Sequence, residues 1–311
     1  MRICIFGAGA VGGNLAVRLH LAGHAVSVVA RGDTLAQIRR NGLTLIAGDT
    51  TMHALVPASD APADLGPQDV VISTLKAHQL PALATTVAPL LNAETPVVFA
   101  QNGIPWWYDD ATAELLDPGA ALRNAVGRAR AIGGVIQSAN DQTAPGVVVN
   151  RSPERNRLTI AAADGSQVRV AQIREMLTGA GFESPPVTDL NEAIWTKLIA
   201  NFSVSVLALL VERTSREVFD DPDLSQIGNQ LASELRAVAA AYGAACNVAR
   251  PPPAPGHVSS MLQDLRAGRP LEVAALIDAP LLLARAAGIS TPVADTIAAL
   301  VRHKISRHDS A

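Results

Sequence analysis

The sequence predicts an α/β chain, a doubly wound parallel sheet followed by an all-helical domain. Three observations carry this expectation. Residues 1–31 read as strand, glycine turn, helix, strand. Apolar runs then alternate with helical patterns to about residue 180, which implies right-handed crossovers and a mostly parallel sheet. Beyond Ser184-Pro185-Pro186 the pattern is almost wholly helical. The expected domains are therefore 1–186 and 187–311.

Arg2-Ile3-Cys4-Ile5-Phe6 is a short apolar run of a kind that forms a strand buried on both faces. Gly7-Ala8-Gly9-Ala10-Val11-Gly12 follows and fits G-x-G-x-x-G. Gly7 permits the turn out of the strand, Gly9 lets backbone approach a pyrophosphate, and Gly12 lets the next helix pack on the sheet. That helix, about 11–21, directs its free N–H groups at phosphate. A strand follows at Ala25-Val26-Ser27-Val28-Val29-Ala30. A glycine-rich turn alone is weak evidence, but one placed between strand and helix reads as a Rossmann-type dinucleotide site. Arg31 ends the second strand where an NAD-preferring fold puts Asp or Glu. A guanidinium there suits a 2′-phosphate, so the expected cofactor is NADP(H). The bland alternative is a surface arginine leading into a helix capped by Asp33 or Thr34.

Further along, 34–40 is a short helix, and 43–46 with 52–56 resembles a hairpin. Val70-Val71-Ile72 marks a core strand running to Thr74-Leu75-Lys76; 80–91 is helical, and Pro96-Val97-Val98-Phe99-Ala100 is another buried strand. Segments 124–160 are β-rich and read as the far part of the same domain; a helix at 170–180 follows. The second domain holds helices at about 191–211, 224–242, 258–267, 272–287 and 292–303, with Pro251-Pro252-Pro253 and Pro255-Gly256 as a stiff loop. Lys76 and Asn102 fall at carboxyl ends of strands, where open parallel sheets bind ligands. Either could instead be an ordinary polar loop residue.

Bulk composition excludes several classes. Hydrophobic content of 49% with 17% charge fits a folded chain, and 3% aromatics leave the core to Ala, Val, Leu and Ile. A net charge of −3 without like-charge runs gives no support for nucleic-acid binding. Two distant cysteines, Cys4 and Cys246, fit a reducing compartment. No signal peptide is read, and the apolar run 202–211 is about half the ~20 residues of a membrane span. The expectation is a cytoplasmic protein with no membrane or nucleic-acid partner; a homodimer is the assembly this reading allows. No metal is expected, since His303 and His308 are spaced i, i+5 near a terminus.

The helix at 191–211 is apolar nearly all round, yet Lys197, Asn201 and Ser205 recur at i, i+4 and i+8 on one face. A lysine so placed either snorkels to solvent or faces a cleft as a proton donor; with a reference pKa of ~10.4 it enters protonated, as a general acid. Ser259 and Ser260 start a later helix, and Glu272 follows the turn Ala267-Gly268-Arg269-Pro270. Glu272 either complements a helix dipole or grips a substrate hydroxyl or the lysine.

These residues reach a resemblance. GAGAVGG at 7–13, ARG at 30–32, Lys76, QNG at 101–103, WTKLIAN at 195–201 and SSMLQDLRAGRPLE at 259–272 make the chain similar to the ketopantoate reductase (2-dehydropantoate 2-reductase) family over essentially its whole length. The resemblance implies a Rossmann domain plus a helical domain with the site between them, and NADPH-dependent reduction of a 2-keto acid, ketopantoate to pantoate, in pantothenate synthesis. It implies that Lys197 is the general acid and that Glu272 holds the substrate hydroxyl. Asn102 would orient cofactor and substrate, with Asn201 and Ser260 on the substrate. Residues 7–12 (Gly7, Ala8, Gly9, Ala10, Val11, Gly12), Arg31, Lys76 and Glu272 complete the cofactor side. One departure stands out: many members carry a second asparagine, often followed by proline, where this chain has Ser205-Val206. A shorter hydroxyl there leaves the keto acid open. The alternatives are a reductase of a different 2-keto or hydroxy acid, or a non-catalytic NADPH-binding sensor, which would leave Lys197 and Glu272 unexplained.

Overall fold

The computed structural model describes residues 1–246, 252–254 and 256–308, the last by its backbone alone. Pro251 and Pro255 of the expected stiff loop, and the side chain of His308, lie outside the described residues. The chain forms two compact units, Met1–Gln101 with Gly119–Leu190, and Asn102–Pro118 with the residues from Asn191 onward.

In the first unit the elements run β1 (Arg2–Phe6), α1 (Ala10–Leu21), β2 (Ala25–Val29), α2 (Gly32–Asn41), β3 (Leu43–Ala47), β4 (Thr50–Ala54), β5 (Ala58–Ser59), β6 (Val70–Ser73), α3 (Leu80–Thr86) and β7 (Val97–Ala100). After α4 (Ala113–Leu116), which belongs to the second unit, come α5 (Ala121–Ala125), β8 (Ala131–Gln137), β9 (Asn140–Ala144), β10 (Val147–Asn150), β11 (Arg157–Ala162) and α6 (Val168–Gly179). Among the described residues the strands form two sheets. The larger has the order β11-β8-β7-β6-β1-β2-β5 and is parallel except for β11, which pairs antiparallel with β8. This is the doubly wound order, and the sense of progression reverses between β1 and β6. Val70-Val71-Ile72-Ser73 and Val97-Val98-Phe99-Ala100 are buried at every position, as a sheet covered on both faces requires.

The smaller sheet, β4-β3-β10-β9, joins the hairpin read at 43–56 to a second one from 140–150. It lies against α1: a Cβ on Gly13 would stand 2.6 Å from Val148 Cγ2. Polar atoms in this layer are satisfied by a side-chain knot. Asn156 Oδ1 accepts from Asn14 Nδ2 at 3.2 Å, Asn150 Nδ2 at 2.6 Å and Ser138 Oγ at 2.8 Å.

The second unit contains α7 (Asn191–Ala200), a π turn (Asn201–Ser205), α8 (Val206–Val211), α9 (Ser215–Asp220) and α10 (Pro222–Ala241). Then come α11 (Ser260–Arg266), a second π turn (Ala274–Asp278), α12 (Ala279–Ala286) and α13 (Pro292–His308). Local sequence explains several starts. Thr214 and Glu217 form a capping box at α9, and Asp221 accepts from the N–H groups of Asp223 and Leu224 with Pro222 in the first turn of α10. The stretch Asn191–Val211 is long and apolar enough to cross a membrane, with a mean hydropathy of 1.8. Most of its apolar side chains, among them Trp195, Leu198, Phe202 and Leu207, are buried within the protein, so packing accounts for its composition.

Segment 102–118 departs from the expected domain at 1–186, because it packs with the helical unit. The physical reason lies at both ends of its first turn. Gly103 adopts φ +82°, and a Cβ there would come within 2.5 Å of the Ala275 carbonyl oxygen; the Ile104 N–H donates to that same oxygen at 3.0 Å. Farther on, Trp195 Nε1 donates to the Tyr108 hydroxyl at 2.6 Å, and Tyr108 donates to Asn191 Oδ1 at 2.5 Å.

Candidate active site

In the first unit, chemistry is offered by backbone. Gly7 holds φ +107°, a conformation that side-chain-bearing residues avoid. A Cβ on Gly12 would lie 1.9 Å from the Gly7 carbonyl oxygen, so the helix can approach the turn only because Gly12 has none. Around Gly9 a Cβ would meet nothing within 4 Å, which leaves that face of the turn open. Gly9 is the N-cap of α1, with no side chain bonding the first turn and no acidic residue in it. A turn cleared on one side, packed on the other, and followed by unsatisfied N–H groups fits a dinucleotide pyrophosphate.

Arg31 is exposed and is itself the N-cap of α2, a place the sequence offered to Asp33 or Thr34. Its side chain makes no ion pair among the described residues, and it caps no N–H. Lys76 stands two residues after Thr74 at the end of β6; its N–H donates to Gln79 Oε1 at 3.1 Å. Cys4, in β1, is buried, and burial pushes its thiol up to about 12, which removes it as a nucleophile.

In the second unit, chemistry is offered by side chains. Lys197 lies on α7, partly enclosed between the buried Ile194, Leu198 and Ile199. Burial lowers its pKa from the usual lysine range to about 8, and the carboxylate of Glu272 opposes that fall. Glu272 itself is buried. It directly precedes the turn of helix that carries Ala275, and its carbonyl accepts from the Leu276 N–H at 3.1 Å. The expected helix from 272 therefore begins one residue later and passes through a π turn.

Asn201 and Ser205 are the first and last residues of the other π turn, where the Val206 N–H bonds to the Asn201 carbonyl. Both remain partly exposed while Phe202, Ser203 and Val204 between them are buried, so they lie with Lys197 on the less buried side. The two π turns are neighbours in the fold. Such turns open a helix locally and recur at functional sites. Asn102 enters the same unit through Gly103 and Ala275, and its side-chain oxygen is buried with no hydrogen-bond partner among the described residues. Ser259 caps α11, its Oγ accepting from the Leu262 N–H at 3.3 Å, which leaves Ser260 exposed in the first turn. The structure thus brings Lys197 and Glu272 together, ties Asn102 to the turn after Glu272, and puts Asn201 and Ser205 on the lysine's side; it assigns Ser260 no such contact. Two features went unread in the sequence. Gln101 Oε1 is buried without a partner among the described residues, as Asn102 Oδ1 is, and Thr74 binds the glycine turn.

Comparison with known proteins decides the family. The model described as "Ketopantoate reductase PanE/ApbA" matches residues 3–165, and the one described as "Ketopantoate reductase PanE/ApbA C terminal" matches 189–305. The chain belongs to the ketopantoate reductase family. It is 36% identical to a 2-dehydropantoate 2-reductase of Mesorhizobium japonicum, over 97% of each chain. A ketopantoate-reductase-like chain of known structure from Ralstonia solanacearum MolK2 superposes with a TM-score of 0.88 at 32% identity, covering 99% of this chain and 98% of that one. A D-mandelate dehydrogenase shares the fold, with a TM-score of 0.86 at 20% identity over 99% of each chain.

Members of the ketopantoate reductase family are oxidoreductases acting on CH–OH donors, and this chain is one of them. The family's two models divide at 165 and 189, near the passage from the sheet unit to α7. Segment 102–118, which packs with the helices, lies inside the first of them.

Proposed function

We propose that this ketopantoate reductase family member reduces 2-dehydropantoate to pantoate with NADPH, a step of pantothenate synthesis. The observation that carries the reading is the Lys197–Glu272 pair: a partly exposed lysine whose pKa is brought to about 8 beside a buried carboxylate. Near neutral pH such a lysine is still mostly protonated, yet gives up its proton far more readily than a solvated one. Bound at the glycine turn, a reduced nicotinamide dinucleotide supplies the hydride. Lys197 donates its proton to the carbonyl oxygen as negative charge gathers there. Glu272 holds the lysine in its charged form and accepts a hydrogen bond from the substrate or product hydroxyl, and its position also serves the cofactor. Asn102 orients cofactor and substrate through its amide, whose oxygen has no other partner among the described residues. Asn201, Ser205 and Ser260 contact the substrate. The backbone at 7–12 binds the pyrophosphate, and Arg31 with Lys76 binds the cofactor, Arg31 at the 2′-phosphate.

A second reading, reduction of a different 2-keto acid, is favoured by one residue. Ser205 presents a short hydroxyl on the Lys197 side of the helix where many family members have an amide. Steady-state kinetics with ketopantoate and a panel of other 2-keto acids, each with NADPH and with NADH, test both readings. The expected result is the highest kcat/KM for ketopantoate with NADPH. A higher value for another keto acid establishes the second reading, and no oxidation of NADPH by any of them overturns both.

A further inference from the structure

We propose that Thr74 is a positioning residue for the cofactor turn: its hydroxyl locks the Gly7 peptide in the orientation that binds the dinucleotide, whichever dinucleotide it is. The inference rests on the glycine-turn part of the preceding reading. Thr74 is the first residue beyond β6, and its N–H donates to the Phe6 carbonyl at 3.0 Å. β6 and β1 are the neighbours between which the strand order reverses. Thr74 Oγ donates to the Gly7 carbonyl oxygen at 2.7 Å. The same hydroxyl oxygen would stand 2.6 Å from a Cβ on Gly12 and 3.2 Å from one on Gly7. It therefore fills the space that the absent side chains of both glycines leave, and joins turn, helix start and neighbouring strand.

The peptide plane explains why this bond matters to a ligand. The Gly7 C=O and the Ala8 N–H belong to one planar trans unit and point in opposite directions. Holding the carbonyl toward Thr74 and the start of α1 fixes the Ala8 N–H away from them. That N–H has no acceptor among the described residues. Gly7, at φ +107° and with no side chain, has little intrinsic reason to keep one orientation. Without the hydroxyl, the Gly7 carbonyl loses its side-chain donor and the turn is free to rotate its peptide.

The test is nucleotide binding in the absence of keto acid, measured by fluorescence titration of NADPH and of NADH on wild type, Thr74→Val, Thr74→Ala and Thr74→Ser. Loss of one hydrogen bond to a partly buried carbonyl corresponds to roughly 2- to 12-fold. Thr74→Val should weaken both nucleotides by about that factor and by the same ratio, whereas Thr74→Ser should stay close to wild type. Thr74→Ala keeps the room without the hydroxyl, so it carries the comparison with Thr74→Ser where Thr74→Val does not fold. Nucleotide affinities of the alanine variant equal to those of the serine variant overturn the proposal while leaving the reductase reading intact. Wild type that binds neither nucleotide overturns both.

Discussion

The two units hold their candidate groups by different physical means. In the sheet unit the working surface is main chain: a glycine turn with one face cleared around Gly9, the other filled by Gly12 against Gly7, and a helix start with no side-chain cap. In the helical unit it is side chain: a partly enclosed lysine beside a buried glutamate, an asparagine oxygen without a partner among the described residues, and two π turns. Main-chain sites demand space and fixed peptide planes, and they read shape and phosphate charge. Side-chain sites demand burial and a counter-charge, and they set proton affinity. The contrast teaches that affinity for nucleotide and the rate of proton delivery should be separable by mutation. Each variant below either keeps that separation or breaks it.

The largest effect is expected for Lys197→Ala. Removing a general acid lowers kcat by roughly 10²–10⁴-fold, and NADPH affinity should remain near wild type because no atom of the glycine turn is altered. Single-turnover kinetics together with a nucleotide titration check both halves. Near-normal turnover takes the lysine out of the chemistry, and a parallel loss of NADPH binding breaks the division of labour. Gly12→Ala is the counterpart in the sheet unit. Its Cβ would lie 1.9 Å from a backbone oxygen, an overlap that no rotamer relieves. Overpacking of this kind costs about 3 kcal/mol of folding stability at the severe end, and affinity for both nucleotides should fall together because the turn they share is displaced. Here the turn must move, and the thermal midpoint should fall with it.

Arg31→Ala acts on one nucleotide only. Loss of a charged hydrogen bond should weaken NADPH by ~1.5–3 kcal/mol and leave NADH unchanged, read as the ratio of kcat/KM for the two cofactors. Equal losses mean that the exposed guanidinium at the start of α2 does not read the 2′-phosphate.

How much of this was legible in the sequence follows the same divide. The glycine turn was readable because its strand, turn and helix succeed one another within residues 2–21; the neighbours that pack on it from outside, Thr74 and Leu75, lie more than sixty positions on. Thr74 was missed because its bond to Gly7 spans 67 positions. In the helical unit the stripe of Lys197, Asn201 and Ser205 was readable as spacing, but the π turn between 201 and 205 was not, since an i→i+5 bond replaces i→i+4 only when packing from outside the helix favours it. The transfer of 102–118 to that unit depends on Tyr108 meeting Trp195, 87 positions away. One signal could have exposed it. Only three tryptophans and two tyrosines occur in the chain, and Trp106, Trp107, Tyr108, Trp195 and Tyr242 all fall in the helical unit. In a chain with so few tryptophans and tyrosines, such clustering points to one packing centre.

The smallest effect is the most discriminating one for the lysine–glutamate pair. Burial lowers the Lys197 pKa to about 8, and the Glu272 carboxylate is what opposes the fall. A proton donor works only while protonated, so wild-type kcat for reduction should hold below pH 8 and decline as pH rises through it. Glu272→Gln keeps the size of the side chain and removes its charge. With burial unopposed, the charged form of the lysine loses its counter-ion, its pKa drops below 8, and the basic limb of the kcat profile moves to lower pH. A limb that stays in place in Glu272→Gln, or moves upward, shows that the carboxylate does not set the lysine's charge; Glu272 then acts only as a hydrogen-bond acceptor for the substrate, and the loss appears in KM instead.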